Sequence, residues 1–415
     1  MPLIPPQTKT KPALRAGWRL RFVLTLLAFT GWASLKIQAQ QVIVRGTVTN
    51  QFTKERIPFA SVSWKKSGQG VIADSAGLFR IVARRHITDT LLVSSVGFEK
   101  LALPVTLSRD TMVLNLFLEN ARDGGVVIVK SSYNKGLLWW RKIVANRPVN
   151  DPYRMASYSY ELYNKLEVDL NNFNRKKFER HKLLRPFGFV LSNIDSLSED
   201  KPFLPVFITE SISDCYFASD PFREREEIKA LKTNGIQNES VLSYLGGINQ
   251  RINCYENYMT LFGKEFISPL SAIGDQYYHY RGADTQVLSG QQYLHLFFTP
   301  KREGENTFSG DCWVHSTGWG IRKITLNMSS SANINFVQRL SIIQEFTRRD
   351  DGGWLFARDK FVTELSPLKK DKLAFIARKT SLYSHIQVDQ PFIEAALKRN
   401  TRNEKVMIRE GAQGK

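Results

Sequence analysis

Six histidines are the first residues to weigh for catalysis or metal binding: His86, His181, His279, His295, His315 and His385. A zinc peptidase holds its ion with imidazoles and carboxylates at fixed spacing and leaves one coordination position open. None of these histidines is followed by Glu three or four residues later, and none forms a helical His pair. His295 and His315 fall on successive expected strands, but a pair is not a metal site. Cys215, Cys254 and Cys312 contain no Cys-x-x-Cys. Their spacing is compatible with one disulfide plus a thiol, or with three buried thiols.

The carboxylates say little more. Asp350-Asp-Gly-Gly353 lacks the alternating oxygen ligands and later Glu of a calcium loop, and reads as a hairpin turn. Glu161, Glu167 and Asp169 share one face of a single strand and read as a solvated face. There is no Gly-x-Ser-x-Gly elbow, phosphate loop or dinucleotide fingerprint. Tyr277-Tyr-His-Tyr280 reads as strand packing rather than as a platform for a sugar. The sequence therefore nominates no catalytic, cofactor-binding or metal-ligating residue.

The elements that would carry a site are mostly strands. From Gln41 the apolar period is two, with Val42, Val44 and Val48 on one face. Short runs follow at Pro58–Trp64, Leu78–Val82, Leu91–Phe98 and Met112–Leu118, separated by turn signals such as Asp74-Ser-Ala-Gly77. Residues 121–136 read as a linker, and Leu137, Trp140 and Val144 mark a helix. A long strand is expected over Met155–Leu170, with Tyr158, Tyr160, Leu162 and Asn164 on one face. A helix is expected over Pro221–Asn234, because acids lead, lysines trail, and Asp220, Pro221 and Gly235 suit its ends. From Asp275 the alternation persists through successive strands to Tyr383, an antiparallel meander, before a short helix over Pro391–Lys398.

Composition sets the compartment. Lys9, Lys11, Arg15, Arg19 and Arg21 precede the apolar run Phe22–Phe29, with small Ala39 beyond, as in a secretory signal peptide. No later run of about 18 apolar residues suggests a transmembrane helix. The net charge is +19, of which the first forty residues contribute six basic groups and no acid. A basic surface suits phosphate-rich partners such as anionic lipid or lipopolysaccharide; export argues against nucleic acid.

Gly46-Thr-Val48, Pro58-Phe-Ala-Ser-Val62, Asp74-Ser-Ala-Gly77-Leu-Phe79 and Gly97-Phe98 occur in the order of the carboxypeptidase regulatory-like domain, which this stretch resembles. Ala73 stands where that pattern usually has Thr. The resemblance implies an accessory sandwich without catalytic residues. The remainder, from about residue 136 to 390, resembles an uncharacterised family of exported Gram-negative proteins in which this sandwich leads a large domain of unknown function. It rests on Tyr158-Ser-Tyr-Glu-Leu-Tyr-Asn-Lys165, Glu210-Ser-Ile-Ser-Asp-Cys-Tyr216, Ser268-Pro-Leu270 and Tyr277-Tyr278. Such proteins commonly continue into an outer-membrane β-barrel, and a sequence ending at Lys415 reads as a truncated or divergent member.

The expected architecture is mainly β: a transthyretin-like or Ig-like sandwich, then an α+β domain with a curved antiparallel meander. The expected divisions are a signal peptide at 1–39, a sandwich at 41–120, a linker at 121–136, the α+β domain at 137–398 and a basic tail at 399–415. The expected role is a non-enzymatic periplasmic or outer-membrane-associated docking protein, needing no cofactor, whose partner is an outer-membrane protein, a lipid or a glycan. The alternatives are a carboxypeptidase-like hydrolase, and a lipid or lipoprotein carrier or part of an outer-membrane transport assembly.

Overall fold

Alternating apolar residues in the first strands specify two sheets that must bury one face each against the other. The computed structural model describes residues 41–84, 88–95, 97–106, 111–120, 135–171, 204–235, 252–288, 290–332, 334, 336–366, 374–399 and 406–410. The expected signal peptide, with most of the linker and of the basic tail, lies outside these residues. β1 (Gln41–Asn50), β2 (Ser61–Trp64), β3 (Gly70–Ile72), β4 (Leu78–Arg84), β5 (Thr88–Ser94), β6 (Leu101–Thr106) and β7 (Thr111–Leu118) form the sandwich. One sheet has the order β4-β1-β7 and the other β3-β2-β5-β6. Val44, Val48, Val62, Trp64, Leu91 and Leu116 are among the buried residues between them.

Two turns show why the local sequence matters. Asp74 Oδ1 accepts the backbone N–H groups of Ala76 (2.9 Å) and Leu78 (2.8 Å), while Gly77 has φ +71°. A side chain at Gly77 would be strained by that φ and would press on the Val48 and Ile57 carbonyls. At Gly46, a Cβ would sit 1.7 Å from the Leu114 carbonyl oxygen, so β1 and β7 can pair in register only with glycine there.

The larger unit opens with α1 (Lys135–Asn150) and a short 3-10 turn (Pro152–Arg154). Its strands are β8 (Ser157–Asn171), β9 (Leu204–Ser219), β10 (Phe222–Gly235), β11 (Tyr258–Leu261), β12 (Lys264–Ile267), β13 (Tyr278–Leu288), β14 (Gln291–Pro300), β15 (Phe308–His315), β16 (Ile321–Met328), β17 (Val337–Arg348), β18 (Trp354–Leu365), β19 (Ala374–Val388) and β20 (Val406–Glu410). α2 (Gly274–Tyr277) precedes β13 and α3 (Pro391–Leu397) follows β19. Eleven strands form one antiparallel sheet in the order β13-β14-β15-β16-β17-β18-β19-β8-β9-β10-β20; β11 and β12 form a separate hairpin. The mainly β class and the two-unit order expected from the sequence are present.

The expected helix over 221–234 is instead β10. Its graded charge fits a helix dipole, but its partners fit a sheet. Arg223, Arg225 and Lys229 form ion pairs with Glu394, Glu227, and Glu161 plus Asp214, respectively. The backbone pairs along β9 from Ser219 to Phe207. Long-range pairing overrides local preference here. Val406–Glu410, assigned by its composition to a basic tail, pairs with Arg223–Glu227 as the outer strand.

Side chains from the loop after β1 join the sandwich to the large sheet. Phe52, from the loop after β1, is buried with Val362 and Ile376 of the large sheet. Phe59 packs on Trp313, with ring centroids 5.4 Å apart. Glu55 accepts from Arg358 and Lys360 at 2.6–2.9 Å. The opposite face of β13–β17 is covered by α1 and the segment around Cys254–Leu270, whose Trp140, Ile143, Tyr255, Met259, Phe266 and Leu270 join the main core.

Candidate functional site

Because side chains alternate across a strand, β18 splits its residues between two tasks. Arg358, Lys360 and Val362 face the sandwich, whereas Asp359 and Phe361 face the other way. On that second face, where α1 and its neighbouring segment leave off, β8, β9, β10, β18 and β19 line a cavity of about 330 Å³.

The strand registers order its floor into rows. Ser211, Asn164, Ser381, Asp359 and Gln344 lie side by side across β9, β8, β19, β18 and β17. Ser381 Oγ donates to Asn164 Oδ1 (2.5 Å), and Gln344 Nε2 donates to Asp359 Oδ1 (3.2 Å). The Tyr383 hydroxyl donates to the other Asp359 oxygen at 2.7 Å, and burial drives its ionisation well above the ordinary tyrosine range. Gln344 is itself fixed: its amide donates to the Ile252 carbonyl (2.9 Å) and accepts from the Cys254 backbone (3.2 Å).

Apolar groups flank this polar row. On one side run Leu166, Phe361 and Ile342, with Lys379 between the first two. On the other run Ile228 and Leu162. Leu231 and Met407 are both exposed and also line the cavity. A polar stripe between apolar stripes can orient an amphipathic molecule, with hydrogen bonds setting direction and burial supplying attraction. A volume near the low end of ordinary ligand sites suits one small molecule or a single chain.

Cys215 and Glu226 continue the floor towards β10, beside Tyr160. Burial pushes the Cys215 thiol far up, so it is a neutral group packed into the floor and not a poised nucleophile. Cys254 and Cys312 are likewise buried, free and raised by burial.

The residues singled out by sequence fall elsewhere. His295 Nε2 donates to Asp311 Oδ2 at 2.8 Å, and its ring stacks on Trp313 with centroids 3.9 Å apart, on the sandwich-facing side. His315 is buried, and its Nδ1 accepts from the Gly318 backbone at 3.0 Å. Burial and the nearby Arg348 cation lower its pKa below the ordinary histidine value. His279 and His385 are exposed, while His86 and His181 lie outside the described residues. Among the described residues, no three His, Cys, Asp or Glu side chains gather in a group suited to a metal.

Glu161 and Glu167 pair with Lys229 and Lys165 on the surface, but Asp169 departs from the expected solvated face. It is buried against Arg378 where β8 bulges between Val168 and Asp169. Tyr278 and Tyr280 are packing residues as expected, donating to the Ile267 and Pro269 carbonyls at 2.5 and 2.6 Å. Asp350–Gly353 is the expected hairpin turn, with Asp351 Oδ1 accepting from Gly353 at 3.0 Å. The polar row was missed because its members come from five strands. Period two groups Tyr160, Leu162 and Asn164 on one face, but no local signal announces that β19 and β9 flank them.

A family model described as a family of unknown function (DUF5686) matches residues 140–372, more than half of the chain. A second, for the CarboxypepD_reg-like domain, matches residues 44–129. No curated protein matches the sequence. Similar solved structures include a DUF1329 family protein from Desulfovibrio piger, 10% identical, covering 64% of this chain and 100% of that one at a TM-score of 0.26. A LolA superfamily protein from Nitrosomonas europaea is 10% identical, with 63% and 97% covered and a TM-score of 0.22. A MucA/MucB complex from Pseudomonas aeruginosa is similar at 9% identity, 66% and 98% coverage, and a TM-score of 0.17. These scores are too low to transfer any function to this chain.

Proposed function

Starting from the premise that the chain belongs to the family of unknown function DUF5686, led by a CarboxypepD_reg-like domain, we propose that it is a non-enzymatic exported binding protein. The large sheet takes a small amphipathic ligand in the cavity between β8–β10 and β18–β19. The sandwich docks the molecule to a partner at the cell envelope. The observation that carries this reading is the floor of the cavity, where a hydrogen-bonded polar row runs between apolar rows.

The reading keeps the division into a sandwich at 41–120 and an α+β unit at 137–398. The basic and then apolar start of the chain supports export to the periplasm or outer membrane. No helix among the described residues is long and apolar enough to cross a membrane. The covered half of the same sheet face, filled by residues such as Tyr255, Phe266 and Leu270, favours a small ligand over a two-tailed lipid.

The test is titration of the purified chain with the apolar fluorophore N-phenyl-1-naphthylamine. Saturable enhancement with one site per chain is expected. Ser211→Trp, which puts a ring into the cavity, should remove it while leaving the circular dichroism spectrum intact. Absence of saturable binding, or binding untouched by that substitution, would overturn the reading. Envelope fractionation tests the location independently: recovery in the cytoplasmic fraction alone contradicts export.

A further inference from the structure

We propose that α1 rests on an anionic phospholipid surface, its outward side laid along the headgroups. The proposal goes beyond the cavity reading and does not depend on it. The inner side of α1 is set by Gly136, Trp140, Ile143 and Asn150, all buried. A turn of about 100° per residue then places Leu138, Ala145 and Val149 along the middle of the outward side. Leu138 and Val149 are 38% and 77% exposed. Ala145 and Pro148 are exposed as well. A helix that covers a sheet ordinarily turns a polar side to solvent. Here that side carries an apolar stripe.

The charges around the stripe have one sign. The same helical spacing puts Arg141 on one flank and Lys135 and Lys142 on the other. All three are exposed, and their side chains form no ion pair with a described residue. The helix itself contains no acid. Asp151, which follows it, is buried and pairs with Arg154 at 3.8 Å. Arg147 lies towards the inner side and is engaged there, donating to Asn257 Oδ1 at 3.0 Å and to the Leu270 carbonyl at 2.9 Å. The contrast with β10 is plain: Arg223, Arg225 and Lys229 each meet a carboxylate within the fold. The outward cations of α1 are left for an external anion.

Cations on both flanks of an apolar stripe suit a helix lying in the plane of a membrane interface. The stripe meets the acyl boundary, and the basic groups reach the phosphates on either side. From Leu138 to Val149 the stripe runs about 16 Å, too far for one phosphate to serve both flanks and both ends. A lipid surface supplies anions along that whole length. The outward side of α1 also lacks the aromatic anchors that fill pockets at protein interfaces, and its apolar groups are small and shallow. The sandwich meets the other face of the sheet, so contact through α1 leaves the sandwich free for its own partner.

A fluorophore on α1 reads the contact locally. The native thiols are buried, so Ala145→Cys takes an environment-sensitive dye such as acrylodan at one position, and Gln69→Cys on the sandwich serves as the control. Vesicles of phosphatidylcholine with about one part in four phosphatidylglycerol should shift the emission at position 145 to the blue and leave position 69 unchanged. Pure phosphatidylcholine vesicles should require at least about tenfold more lipid for the same shift. Adding Lys135→Gln/Arg141→Gln/Lys142→Gln to the labelled chain should weaken binding about tenfold or more, with the circular dichroism spectrum unchanged. Salt gives a second measure that needs no further variant: near 1 M, where the Debye length is about 3 Å, binding should weaken comparably. No shift at position 145, an equal response to neutral vesicles, binding that survives the triple substitution, or binding indifferent to salt each overturns the proposal. A soluble glutamate octapeptide that gives the shift and blocks the vesicles also overturns it, by assigning the surface to an acidic polypeptide. The cavity reading stands or falls separately, on the binding of N-phenyl-1-naphthylamine.

Discussion

Arg358 grips Glu55 with both arms of its guanidinium, Nη1 to Oε1 at 2.9 Å and Nη2 to Oε2 at 2.6 Å, and so ties the large sheet to the sandwich. Lys360 adds a third contact at 2.7 Å, and Glu345 holds Arg358 from behind. The Glu55 side chain is 13% exposed, which makes this an ion pair little screened by solvent. Arg358→Ala leaves Glu55 beside Lys360 alone. The expected loss is about 3 kcal/mol, the low end for breaking a buried pair by removing one partner. Urea unfolding followed by circular dichroism measures it; a loss below ~1 kcal/mol would show that the junction does not depend on the pair.

The same junction predicts acid sensitivity. Burial by itself would raise the Glu55 pKa, but the Arg358 and Lys360 contacts outweigh it and hold the group down at about 2, against an ordinary 4.5. Because the folded pKa is depressed, the contribution is complete above pH 4.5 and is lost as pH falls towards 2. His315 acts in the same direction at higher pH. Its folded pKa is lowered from 6.5, so the unfolded chain binds a proton first and stability falls as pH drops below that value. Unfolding free energies across this range should decline in both windows, and Glu55→Gln should flatten the lower one selectively.

Gly46 makes a sharper prediction about the sandwich. Its missing Cβ lets the Leu114 carbonyl approach, so Gly46→Ala must push β1 from β7. The expected cost is about 3 kcal/mol, as for overpacking a tight site. Hydrogen exchange should show protection falling along Val42–Thr47 and Leu114–Leu118 while β13–β19 stay protected. Unchanged exchange in both strands would contradict the close approach.

The cysteines predict silence. Cys215, Cys254 and Cys312 are buried thiols raised by burial, so the native chain at pH 8 should resist iodoacetamide and take three labels only after unfolding. Rapid labelling of Cys215 in the native chain would show that the cavity floor opens.

The strands of the meander were legible because neighbouring partners are also neighbours in sequence. Gln292–Thr299, Ile321–Met328 and Trp354–Leu365 each show their own alternation and turn into the next strand. The Asp74–Gly77 turn was legible because its chemistry is local. β10 was misread because charge order suggested a helix, while the residues that decide the matter, Cys215, Asp214 and Glu394, lie elsewhere in the chain. The cavity was invisible for a related reason. Asn164 and Ser381 touch across 217 positions, and no spacing rule within one strand joins them.

That separation has a kinetic meaning. Strands β13 to β19 can zip together one hairpin at a time as the chain emerges, but β8, β9 and β10 wait for β19 before they gain a neighbour on the inner side. Nonlocal pairing of this kind slows folding because a long loop must close before the contact rewards it. The N-terminal arm of the sheet, which carries half of the cavity, is therefore the last to be secured.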